Sequence, residues 1–92
     1  MKKTKTNRGF GLIEFVDRYG AKCSLQKSSI ATEDCIWLGV DDPDPKEFVP
    51  GRGWLEVRLP NGVHLTTRMH LSQKLARQLL PHLSKFAETG EI

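Results

Sequence analysis

The segment from Trp54 to Leu71 gathers the side chains best suited to hold a charged ligand. Leu55, Val57 and Leu59 alternate onto one face. After Pro60-Asn61-Gly62, the same face continues through Val63, Leu65, Thr67, Met69 and Leu71, which reads as a hairpin over 54–59 and 63–71. Its other face carries Trp54, Glu56 and Arg58 beside His64, Thr66, Arg68 and His70. Pairing Leu59 with Val63 sets Arg58 opposite His64, Glu56 opposite Thr66 and Trp54 opposite Arg68. Guanidinium groups grip phosphate bidentately, imidazole and hydroxyl add donors, and an indole offers a plane on which a base or Arg68 itself stacks. The candidate anion-binding set is therefore Trp54, Arg58, His64, Arg68 and His70, with Ser24 and Gln26 as polar additions if strand order brings them alongside. The plainer account is a solvated sheet face with ordinary cross-strand pairs.

Other chemistries fit the residues less well. His64 and His70 share a strand face but lie about 20 Å apart at roughly 3.3 Å per residue, so one ion cannot bind both. Cys23, Cys35 and the 3 histidines show none of the close pairings of zinc ribbons or fingers, and no metal or other cofactor is expected. Asp41, Asp42, Asp44 and Glu47 resemble a calcium loop only in composition. Pro45 and Lys46 interrupt the ligand positions and the required glycine is missing, so a solvated acidic loop or a docking edge for a basic partner is the better reading. Alternation puts Cys23 and Leu25 on the core side, which argues against a thiol nucleophile, and both cysteines read as small buried hydrophobes. No nucleophile elbow, phosphate loop or dinucleotide fingerprint is present, so the chain reads as a binder and not an enzyme.

The chain has 92 residues, 38% of them apolar, enough for one small domain with a thin core that self-association would help to stabilise. The net charge of +3 is concentrated at one end. Lys2, Lys3, Lys5 and Arg8 supply four positive charges, which leaves residues 9–92 at about −1. A nucleic-acid tracker carries its basic excess on folded surface, so this balance is weak support for such a partner. Without an apolar leader or a membrane-length apolar run, and with cysteines suited to a reducing compartment, a cytoplasmic protein with no membrane contact is expected.

The elements that must position these groups can be read in order. Residues 1–8 read as a disordered basic arm and 9–92 as a single α+β domain. Phe10 to Val16 reads as a strand, Asp17-Arg18-Tyr19-Gly20 as a type I turn, and Lys22 to Ser28 as the return strand. Residues 28–34 form a polar connection whose helix or strand character stays open. Cys35 to Val40 reads as a buried third strand, with Trp37, like Phe10 and Phe15, in the core. Asp41 to Gly53, rich in proline, glycine and acids, reads as a loop. Ser72 caps a helix beginning at Gln73 whose stripe is Leu75, Leu79, Leu83 and Phe86. Gly90 closes that helix, and Pro81 predicts a kink or break. The expected architecture is an antiparallel sheet of about five strands, in the order β-β-β-β-β-α, covered by one Pro-kinked C-terminal helix. If Leu80 and Ala87 widen the stripe beyond what one small sheet covers, the surplus belongs in a homo-oligomer interface. Lys74, Arg77, Gln78 and Lys85 lie off the stripe and read as solvated.

Asp17-Arg18-Tyr19-Gly20, Cys23-Ser24-Leu25-Gln26-Lys27-Ser28-Ser29, Ile36-Trp37-Leu38-Gly39, Arg68-Met69-His70-Leu71 and Phe86-Ala87-Glu88-Thr89-Gly90-Glu91 follow one another in a distinctive order. In this the chain resembles a group of small proteins of temperate bacteriophages and prophages, over most of its length after about Phe15. The resemblance implies a setting inside a bacterial host and no particular activity. In that setting, a small accessory protein without catalytic groups is expected to act by binding. The leading expectation is a host-takeover or counter-defence protein that occupies a host protein or sequesters a nucleotide or other anionic signal. The alternatives are a nucleic-acid-binding regulator that uses the basic arm, and a virion structural or assembly component.

Overall fold

In the computed structural model, residues 1–28 and 32–92 are described, so residues 29–31 of the expected polar connection lie outside the described residues. Among the described residues seven strands precede one helix: β1 (Lys2–Lys5), β2 (Gly11–Val16), β3 (Lys22–Lys27), β4 (Cys35–Val40), β5 (Lys46–Val49), β6 (Gly53–Glu56), β7 (Arg68–Ser72) and α1 (Gln73–Thr89). Five form an antiparallel sheet in the order β1-β2-β3-β4-β7, and β5 pairs with β6 in a separate ribbon. The fold is α+β, built on the five-stranded antiparallel sheet that the sequence predicts.

Turn chemistry explains the first half. Asp17 Oδ1 accepts from the backbone N–H groups of Tyr19 and Ala21, both at 2.9 Å, and Gly20 adopts φ 87°, so the β2–β3 hairpin closes as expected. The basic start is not a free arm. Thr6-Asn7-Arg8-Gly9 repeats the same device, with Thr6 Oγ1 accepting from Phe10 N at 3.1 Å and Gly9 at φ 82°, and it returns Lys2–Lys5 onto β2 as an edge strand. Four backbone-paired residues order that segment, while its lysines suit an edge that must not recruit another strand.

The second half departs from the expected hairpin. Gly62 does turn the chain, at φ 82° with Val63 N donating to Pro60 O at 3.2 Å, yet no strand flanks it. Trp54 and its neighbours pair instead with Lys46–Val49, inside the segment expected to be loop. Pro50 and Gly51, the latter at φ 81°, meet the demands of a type II turn between β5 and β6, and Arg52 N closes it on Val49 O at 2.9 Å. β7 is taken by β4, with Trp37 opposite His70 and Gly39 opposite Arg68. The expected two-residue rhythm through 63–67 is therefore absent, and only residues 68–72 are strand.

The helix keeps its predicted limits. Ser72 Oγ accepts from Leu75 N at 3.2 Å, and Gly90, at φ 74°, donates its N–H to Phe86 O at 2.8 Å. It runs unbroken through Pro81, whose ring and the Arg77 it crowds both face solvent. It does not lie over the sheet. Among the described residues its substantial packing is against β7 alone, and none of its own residues is buried. Among the described residues, no helix is long and apolar enough to cross a membrane.

Candidate ligand-binding face

The register assigns each strand residue to one of two sheet faces. Ile13, Phe15, Cys23, Leu25, Ile36, Leu38, Met69 and Leu71 share the apolar face. Leu12, Glu14, Ser24, Gln26, Trp37, Gly39, Arg68 and His70 share the other. Ser24 and Gln26 thus do join Arg68 and His70, because β3 neighbours β4 and β4 neighbours β7.

At the centre of this face stands Trp37. The Arg68 guanidinium carbon lies 5.2 Å from the centre of its ring, and the His70 ring is 5.5 Å away, tilted by 47°. Arg68 Nη2 donates to Asp41 Oδ1 at 3.2 Å, and the same oxygen accepts from Ser24 Oγ at 2.6 Å. Asp41 is itself fixed by its backbone N–H, which donates to Lys22 O at 2.8 Å. One carboxylate therefore holds the guanidinium against the indole, while a single Arg68 nitrogen is spent on it. Ser24 is buried, at 3% exposure, so its hydroxyl is positioned by packing as well as by this bond.

Gly39 makes this arrangement possible. A β-carbon there would collide with Thr67 O and lie 2.7 Å from Arg68 Cα, so β7 approaches β4 this closely only because the position is glycine. Thr67 Oγ1 adds a bond to Val40 O at 2.8 Å, which pins the chain just before Arg68.

Two grooves flank the tryptophan. One, of about 340 Å³, is lined by Arg68, His70, Thr66, Thr67, Asp41 and Leu65 together with Trp37. The other, of about 300 Å³, is lined by Arg8, Phe10, Gln26, Lys27 and the Thr6-Asn7 turn, again with Trp37. In the second groove Arg8 lies over the Phe10 ring at 5.7 Å, and it has no ion pair within 4 Å among the described residues. Trp37 Nε1 is buried without a hydrogen-bond partner, the sole such side-chain atom among the described residues. Unpaired buried donors are uncommon, and this one lies in the residue shared by both grooves.

Of the residues expected from sequence, Ser24, Gln26, Arg68 and His70 come together, while Trp54, Arg58 and His64 do not. Trp54 is exposed on the β5–β6 ribbon, with its ring 5.3 Å from Phe48. Arg58 and His64 are exposed in the coil between β6 and β7. Trp37, expected in the core, is instead the centre of the polar face, and Asp41, expected to be solvated, is its organiser. Period two along β4 carried the information: Trp37 has the opposite parity to Ile36 and Leu38.

The thiols are buried as expected, and both are free. Burial pushes the Cys23 thiol above its ordinary range, reinforced by the charges of Asp17 and Asp41. Burial likewise raises Cys35, reinforced by Glu33. No group of three or more His, Cys, Asp or Glu residues is arranged to hold a metal ion among the described residues. Comparisons with protein-family models, with curated proteins and with solved structures give no match.

Proposed function

We propose that this protein is a non-enzymatic binder of a phosphorylated, base-containing ligand, a nucleotide or cyclic nucleotide, captured across Trp37. The observation that carries the reading is the Arg68–Trp37 stack clamped by Asp41, with grooves on both sides of the indole. A base needs an aromatic plane and a phosphate needs preorganised guanidinium donors; both are within reach of one another here. Arg68 keeps four of the five guanidinium N–H donors of an arginine for a ligand. Arg8 in the second groove, which has no ion pair among the described residues, extends the positive charge in the direction a second phosphate would take, whereas Lys27 there is already paired with Asp34. In the setting implied by the resemblance to temperate-phage proteins, such a binder would sequester a host nucleotide signal in the host cytoplasm as a counter-defence device.

The test is thermal unfolding against a panel of mono-, di- and cyclic nucleotides. A ligand at one hundred times its Kd stabilises by about 2.7 kcal/mol, a readily measured shift in Tm. The expected result is stabilisation by at least one nucleotide and its loss in Arg68→Ala. A flat panel overturns the reading.

The nucleic-acid alternative gains one observation: Phe10 stands beside Arg8 at the edge where Lys2, Lys3 and Lys5 form a strand, so a second aromatic group joins a basic groove. That reading predicts affinity for single strands that falls steeply with salt and weakens when those lysines are changed to glutamine. Deleting residues 1–8 is a poor probe of it, because deletion also removes a paired strand.

A further inference from the structure

The apolar side of the molecule is unfinished. Cys23 on this face and Cys35 on the other are the only buried hydrophobic residues among those described. On the apolar sheet face Ile13, Phe15, Leu25, Ile36, Leu38 and Leu71 are only half-buried, and Met69 is 54% exposed. The helix stripe is bare as well: Leu75, Leu79, Leu80, Leu83 and Phe86 are all exposed. The chain has 8007 Å² of accessible surface, where a compact monomer of 10.4 kDa has about 5,400 Å². Its radius of gyration is 16.5 Å, against about 12 Å for a compact domain of this length. The excess of about 2,600 Å² per chain, doubled for two copies, falls in the range of obligate homodimer interfaces, about 2,000–5,000 Å² or more.

The connection between β7 and α1 explains why one chain cannot close this surface by itself. Ser72 is both the last residue of β7 and the N-cap of α1, so no linker residue separates strand from helix. A helix that must lie back over its own sheet needs a turn of several residues at that corner, and none is available. The helix is about 25 Å long at 1.5 Å per residue, and five strands at about 4.8 Å spacing make a sheet roughly 19 Å across. The helix is therefore long enough to span the sheet, and its apolar stripe matches the sheet face in chemistry.

We infer that the occupant of the apolar sheet face is helix α1 of a second copy of this chain, exchanged reciprocally in a two-fold dimer. Leu75, Leu79, Leu83 and Phe86 of each helix pack on Ile13, Leu25, Ile36 and Leu38 of the other copy's sheet. Lys74, Arg77, Gln78 and Lys85 remain on the wet side. A closed two-fold exchange satisfies both surfaces of both copies and leaves no further patch to propagate a fibre. The opposite sheet face, with Trp37 and Arg68, stays open in this arrangement, so the exchange is independent of ligand binding.

Size-exclusion chromatography with light scattering on the full chain tests this, together with three variants. The wild type is expected to have twice the chain mass at tens of micromolar. Leu83→Asp, on the stripe, is expected to shift it towards monomer, whereas Lys85→Asp, on the wet side, leaves it dimeric. Because Leu83→Asp also threatens folding, a third variant carries a flexible Gly/Ser insertion of about eight residues between Ser72 and Gln73. That insertion lets each helix fold back on its own sheet and is expected to yield a folded monomer with native circular dichroism. A wild-type monomer, a trimer, or a dimer unchanged by the insertion would overturn the inference.

Discussion

The guanidinium of Arg68 lies 5.2 Å over the Trp37 ring, although the two residues belong to different halves of the chain and meet only because β7 pairs with β4. The stack is held from behind by Asp41, so three side chains form one unit. Stacking and the partly exposed ion pair are each worth about 0.5–1 kcal/mol. A double-mutant cycle of Arg68→Ala with Asp41→Asn, read by urea unfolding, is expected to give a coupling of about 0.5–1 kcal/mol. Strict additivity would mean that Asp41 does not hold Arg68 in solution.

Gly39 is the residue on which the face depends sterically. Gly39→Ala pushes a methyl group into Thr67 O and the Arg68 backbone, so β7 must move away from β4. Overpacking of this kind costs about 1–3 kcal/mol. The expected outcome is a lowered Tm together with weakened nucleotide binding. Full stability with intact binding would show that the strands have room to separate without disturbing Arg68.

The thiols set a pH dependence whose sign follows from their raised values. A thiol held above its unfolded value contributes stability that is fully present below the ordinary thiol range, near pH 8.5, and is lost as pH rises through the folded value. Stability measured by denaturant titration is therefore expected to fall above about pH 9, and alkylation by iodoacetamide at pH 8 to be slow until the protein unfolds. Fast labelling of either cysteine in the folded protein would contradict the burial of that thiol.

Pro81 interrupts the hydrogen-bond ladder of an exposed helix without breaking the helix. Pro81→Ala restores the bond to Arg77 O and removes the ring clash, and is expected to stabilise by about 1–3 kcal/mol, read as an increase in Tm. No gain would mean that the helix already bends to accommodate the ring.

Which parts of this molecule were legible in the sequence follows from the range of the forces involved. Local signals were legible: the Asp17–Gly20 turn, the Ser72 and Gly90 caps and the β3 alternation all depend on residues a few positions apart. Two further local signals are present in the sequence. Thr6 to Gly9 has the same acceptor-first, glycine-last pattern as Asp17 to Gly20, and Val49-Pro50-Gly51 has the residues of a type II turn. Partner choice was not legible. Trp54 to Leu59 alternates well enough to pair with either side, and the turns at 50–52 and 60–62 are equally short, so loop closure does not choose between them; the chain pairs Gly53–Glu56 with Lys46–Val49. Arg58, His64 and Trp54 left the candidate site for that reason, and Trp37 entered it because its parity outweighs its hydrophobicity.

Trp37 is the proposed platform for the ligand, and its fluorescence reports on binding directly. Trp54→Phe leaves Trp37 as the only tryptophan, without touching the proposed face. Titration of that variant with the nucleotide that stabilises the protein most is expected to quench Trp37 emission saturably, with the same midpoint as the thermal shift, and Arg68→Ala in the same background is expected to raise that midpoint at least tenfold. Saturable stabilisation with Trp37 emission unchanged would place the ligand elsewhere and contradict the account.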